Sequence, residues 1–147
     1  MGGVQAADAS GAEDVFQNPA ALARLEPESP CEAVLGYDAL LETSYRGAMA
    51  FARPLGRAGA LGLGLVYASQ GAQTAYDGRG DSTGRFTPLD LSLGAAYAHR
   101  LGSAMLGAGF KLIRSTLVDR SGMTVAADLG LVFNHVADLG DGPLDAG

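Results

Sequence analysis

The chain has 147 residues, enough for one domain and too few to require two. A net charge of −6 and a pI of about 4.7, with no basic cluster, argue against a nucleic-acid partner. Cys31 stands alone and tryptophan is absent, so there is neither a disulfide framework nor a zinc signature, and no run of about 18 apolar residues supplies a transmembrane helix.

The opening MGGVQAADAS has no charged stretch followed by an apolar one, so the chain is expected to be a mature form or a piece that starts downstream of a secretory leader. Residues 1–33 form a segment of their own, in which small and acidic residues lead into Val15 and Phe16. Asn18 suits an N-cap and Pro19 the first helical position, where its missing N–H costs nothing, so a short helix is predicted over 20–25. Pro27 and Pro30 stop it.

From residue 34 onward the pattern changes to period two, the signature of strands. A short strand is predicted over 34–37 and longer ones over 42–53 and 60–70. Residues 71–87 have no apolar period and read as a long loop. The clearest pair follows in 89–117, where Leu89, Leu91, Leu93, Ala95 and Tyr97 alternate with Asp90, Ser92, Gly94 and Ala96. On the return arm Leu106, Ala108, Phe110 and Leu112 alternate with Gly107, Gly109 and Lys111. A polar connection over 118–122 leads to a last clear strand over 124–135, and a partial one is predicted at 143–145. A shift of 46 positions lays Ala50-Phe51-Ala52 on Ala96-Tyr97-Ala98 and Leu55-Gly56 on Leu101-Gly102, so the unit of one hairpin plus one connection is repeated.

Every such strand has one face of large apolar residues and one of Gly, Ala and Ser. A sheet with its apolar face in a soluble core would show Lys, Glu and Thr to water on the other side. A membrane barrel inverts the arrangement, with large side chains against lipid and small or polar ones toward a lumen. The composition favours the second: 48% hydrophobic residues and a mean hydropathy of +0.14 accompany 22 glycines, many inside strands, where glycine needs a reason. Strands of about 10–12 residues tilted by about 45° would cover the apolar band of an outer membrane, ~25 Å. Tyr45, Phe51, Tyr67 and Tyr97 lie near strand ends on the large-residue face, where aromatic girdles sit. The expected fold is therefore all-β, an antiparallel up-and-down transmembrane barrel of which about five or six strands are present. Residues 34–147 supply those first strands, and residues 1–33 a helical plug.

Six charged residues fall on the thin face: Glu42, Arg46, Asp90, Arg100, Lys111 and Asp128. They line the lumen or anchor the plug through charge-assisted hydrogen bonds, or else form an internal network that satisfies one another. Asn18, Pro19 and Ala20 form the plug motif, with a plain helix cap as the simpler reading. Nothing points to enzyme chemistry: His99 and His135 have outward parity, no Ser-His-Asp or His-Glu cluster has useful spacing, and no metal site or cofactor is expected. The stretch from Asp77 to Ser82 has poor ligand spacing for calcium and reads as a solvated loop.

Several of these stretches together resemble one family. Gly2-Gly3-Val4-Gln5-Ala6-Ala7-Asp8-Ala9-Ser10, with Asp14-Val15-Phe16-Gln17-Asn18-Pro19-Ala20-Ala21-Leu22-Ala23, resembles the start of PorV/PorQ-type outer-membrane proteins of the long-chain fatty acid transporter (FadL-like) superfamily. The resemblance continues through Tyr97-Ala98-His99-Arg100-Leu101-Gly102, Gly107-Ala108-Gly109-Phe110-Lys111 and Ala126-Ala127-Asp128-Leu129-Gly130-Leu131. It implies a barrel of about fourteen strands in the outer membrane with the N-terminal segment folded inward as a plug. Its partners would be outer-membrane lipid and hydrophobic small molecules or, for the PorV branch, proteins of a secretion system. A soluble antiparallel β-domain is the remaining alternative.

Overall fold

The computed structural model describes residues 11–40, 43–118, 120–138 and 143–146. Among the described residues nine strands form: β1 (Glu32–Ala39), β2 (Tyr45–Pro54), β3 (Ala60–Ser69), β4 (Gln73–Tyr76), β5 (Ser82–Phe86), β6 (Leu89–Leu101), β7 (Ala104–Leu117), β8 (Arg120–Asp138) and β9 (Pro143–Ala146). Seven make one antiparallel sheet in the order β1-β2-β3-β6-β7-β8-β9, and β4 and β5 pair as a separate hairpin set into the β3–β6 connection. The protein is thus all-β and antiparallel, and the sheet does not close on itself. Its edges are β1 and β9.

Three expectations are corrected. The sheet has seven strands rather than five or six, because β1 runs over eight residues and β9 forms at the far edge. Residues 71–87 are not a structureless loop: exposed β4 and β5 pair through their backbones, which needs no apolar period. The β7–β8 connection is shorter than the predicted 118–122, since β8 already begins at Arg120 and only residues 118–119 separate the strands.

The register brings like residues together. Ala52, Gly62 and Ala96 lie opposite one another across β2, β3 and β6, and so do Ala50, Gly64 and Gly94. On the other face Phe51 meets Leu63, Leu63 meets Ala95, and Leu65 meets Leu93. The repeated unit is also visible: the β2–β3 and β6–β7 hairpins are equivalent up-and-down pairs, and Ala50, Ala52, Ala96 and Ala98 are all buried on the thin face. Each of these hairpins turns tightly at one end of the sheet. Gly102, at φ +65°, makes the two-residue β6–β7 turn, a conformation that costs glycine nothing. At the opposite end lies the long β3–β6 connection that carries the β4–β5 hairpin.

The N-terminal segment lies on the thin face. It forms α1 (Asp14–Gln17) and then a 3-10 helix (Pro19–Arg24), where a single short helix is expected over 20–25. Asn18 is the N-cap as expected: its side-chain oxygen accepts from the Ala20 amide at 3.1 Å, and Pro19 follows at the first helical position. The core is this contact and little else. Val15, Ala20, Ala21, Leu22, Ala23 and Leu25 are buried against Ala50, Ala52, Ala60, Ala96, Ala98, Met105 and Val132. Most of these are alanines, so the two layers approach closely while burying little apolar area each.

Candidate functional site

The site is the thin face of the sheet together with the segment seated on it. Glycines set the seat. A Cβ placed on Gly107 would lie 2.2 Å from the Ala20 amide nitrogen and 2.4 Å from the Pro19 carbonyl carbon, and one on Gly130 would lie 2.1 Å from Asn18 Oδ1. Gly62 and Gly64 leave room in the same way for Leu22, Val15 and Phe16. The Asn18-Pro19-Ala20 motif is therefore both a helix cap and the part of the segment that enters the β7–β8 notch.

Arg100 adds the polar tie. Its Nη2 donates to the Ala23 carbonyl at 2.9 Å, which satisfies one of the acceptors left open at the end of the 3-10 helix. Replacing it by Gln or Met is expected to loosen the end of the segment by about 1–3 kcal/mol, seen as faster amide exchange at residues 22–25 with β7 and β8 unchanged. A cavity of about 320 Å³ opens beside it, lined by Ala23, Leu25, Arg57 and Arg100 among others.

Asp14 is the site residue that sequence reasoning missed. Its side chain is fully buried, Oδ2 accepts from the Gly11 amide at 3.2 Å, and Oδ1 has no partner. Burial pushes its pKa up to about 6, opposed by the Gly11 hydrogen bond and by Arg24, while Glu13 and Glu32 push it the same way as burial. An acid set among Ala12, Val15 and Phe16 was the only available signal.

The other predicted residues lie beyond the covered half. Lys111 and Asp128 are ion-paired at 2.8 Å across β7 and β8, both partly buried. Arg46 pairs at 2.8 Å with Asp38, a residue the sequence reading did not single out, because their facing positions follow only from the β1–β2 register. Asp90 is on the same face, opposite Ala68 and Ser115, and is exposed. Glu42 lies outside the described residues. The structure thus ties Arg100 to the N-terminal segment at Ala23, not to Asn18-Pro19-Ala20 itself, and leaves Arg46, Asp90, Lys111 and Asp128 along the uncovered half of the face. A double-mutant cycle on Lys111→Met and Asp128→Leu is expected to show a coupling of about 0.5–1 kcal/mol, with the double variant more stable than either single one.

The opposite face is exposed and apolar. Leu63 is 54% exposed and Leu129 89% exposed, with Leu35, Met49, Leu93, Leu106, Phe110 and Val125 of the same kind. Tyr37 stacks on Tyr45 at 6.4 Å, and Tyr45 meets Tyr67 edge-on at 6.1 Å, forming an aromatic cluster at the end that carries the β4–β5 hairpin. At the other end the Tyr97 hydroxyl donates to the Ala58 carbonyl. Among the described residues no helix is long and apolar enough to cross a membrane, and no three His, Cys, Asp or Glu side chains gather as a metal site requires. No protein-family model matches this chain, and comparison with curated proteins and with solved structures finds no significant similarity.

Proposed function

We propose that the chain is the plug and first strands of an outer-membrane β-barrel that passes hydrophobic small molecules. One observation carries the reading: across β1, β2, β3, β6, β7 and β8 the large apolar side chains occupy the exposed face, while the thin face is packed by the chain's own N-terminal segment. A water-soluble sheet would do the reverse. Tyr37, Tyr45 and Tyr67 grouped at one end of the sheet, with Tyr97 toward the other, suit the head-group levels of a bilayer. Lipid tolerates no open edge, so on this reading β1 and β9 gain partners from further strands or from other copies to close the barrel. The uncovered half of the thin face, with its Lys111–Asp128 pair, then faces the lumen.

A second reading has its own support. The segment is held by interlocking backbone and by Arg100, a seat suited to a permanently shut lumen, and a shut barrel serves as a membrane anchor for secretion-system partners. Uptake of a fluorescent apolar probe into proteoliposomes separates the two: uptake that rises when residues 11–25 are deleted supports transport, whereas none in either form, with secretion subunits copurifying, supports the scaffold. Placement in the membrane has its own test. Leu63→Arg is expected to weaken insertion into bilayers by about 2–4 kcal/mol, against under about 1 kcal/mol for Ser92→Arg on the other face. A purified chain that remains monomeric without detergent overturns both membrane readings.

A further inference from the structure

The cavity beside Arg100 is assembled from two parts of the chain that are distant in sequence. The N-terminal segment supplies Ala23, Leu25 and Pro27, and the tight-turn end of the sheet supplies Arg57, Ala60 and Arg100. Its walls are apolar apart from the two arginines, and no acid lies among the lining residues. Arg57 stands in the short 3-10 turn between β2 and β3, and its side chain has no partner among the described residues. Arg100 uses one of its five N–H donors on the Ala23 carbonyl.

Two cations at one cavity repel each other, and no lining acid offsets them. An anion between them would remove that cost. A carboxylate balances one guanidinium, whereas a phosphate dianion balances both, and its oxygens match the planar N–H forks of arginine. The wall of Leu25, Pro27 and Ala60 then suits a small apolar group carried on the phosphate. We propose that this cavity is a site for a doubly charged oxyanion, free phosphate or a phosphate monoester, and that its occupant latches the N-terminal segment to the sheet. Latching follows from the way the site is built. Because the segment is one of its walls, the complete site exists only in the docked state, and a ligand that binds that state alone stabilises it. The effect on passage through a lumen rests on the transport reading, while binding and latching do not.

The test titrates the full chain, in a non-ionic detergent at about pH 7.5, with phenyl phosphate, inorganic phosphate and benzoate. Phenyl phosphate is largely a dianion there, its second pKa being about 6. Saturable binding of phenyl phosphate is expected, with benzoate about tenfold weaker or more. Inorganic phosphate binding as tightly as phenyl phosphate identifies the free ion as the occupant, and weaker binding identifies the monoester. Arg57→Gln is expected to weaken binding about tenfold. Arg53→Gln is the control, since Arg53 follows buried Ala52 on β2 and lies on the opposite face. Latching has its own readout: phenyl phosphate at ten times its dissociation constant is expected to slow amide exchange at residues 22–25 about tenfold. That slowing is expected to be lost in Arg57→Gln at the same concentration. Absence of saturable binding, benzoate binding as tightly as phenyl phosphate, or wild-type affinity in Arg57→Gln overturns the site. Binding that leaves exchange at residues 22–25 unchanged overturns the latch. Uptake of an apolar probe that ignores phenyl phosphate, while binding and protection persist, counts against the transport reading alone.

Discussion

Gly107→Val is expected to eject the N-terminal segment. The added side chain would start 2.2–2.6 Å from backbone atoms of Pro19 and Ala20, and backbone cannot swing aside as a flexible side chain does. The cost is about 3 kcal/mol or more, because relieving the clash by undocking also exposes Leu22, Val15 and their neighbours. Gly122→Val on β8 is the matched control, since a Cβ there meets nothing within 4 Å. Limited proteolysis reads the difference: cleavage within residues 11–25 is expected in the first variant and not in the second, with β7–β8 amides protected in both. Equal protection of the segment in the two variants would show that the glycine notch does not seat it.

Docking of the segment is also expected to depend on pH through Asp14. Its carboxyl titrates near 6 when seated and near the ordinary carboxylate value of 3.8 when released. An acid whose pKa is raised by docking stabilises the docked form below the released value and loses that contribution as pH rises through the docked one. The segment is therefore held most firmly below about pH 4, loosens between about 4 and 6, and is weaker by about 3 kcal/mol above that range. The physical cause is Oδ1, which is buried without a partner and is most costly when charged. Asp14→Asn removes the titrating group and is expected to leave protection of residues 11–25 flat from pH 4 to 8. A wild-type segment equally protected across that range would remove Asp14 from the docking balance.

Much of this arrangement is legible in the residues, for reasons that differ from element to element. β2, β3, β6, β7 and β8 declare themselves because one face carries mostly small side chains, Met105 and Val132 apart, so the period of two survives along their length. The Asn18 cap is legible because capping is local chemistry within three residues. β4 and β5 are invisible to the same approach, since an exposed hairpin held by backbone bonds and by the Asp77 side chain at its turn imposes no apolar period. Lys111 and Asp128 could be placed on the thin face by parity, but their pairing needs the β7–β8 register that puts Gly109 opposite Asp128. The glycines stand out in the sequence as an excess within strands. That Gly107 and Gly130 make room for one tripeptide requires knowing that β7 and β8 are neighbours.

The seat on β7 and β8 also sets an order of assembly. Asn18 and Ala20 are among the first described residues to leave the ribosome, yet their contacts at Gly130 lie more than a hundred positions later. No local pairing rewards the segment in the meantime, and contacts so distant in sequence form slowly because a long loop must close first. The strands, by contrast, pair with near neighbours in hairpins and can zip in succession. The seat of Asn18 and Ala20 is thus completed only once β8 is in place, after β3 and β6 have already offered cover to Val15 and Leu22.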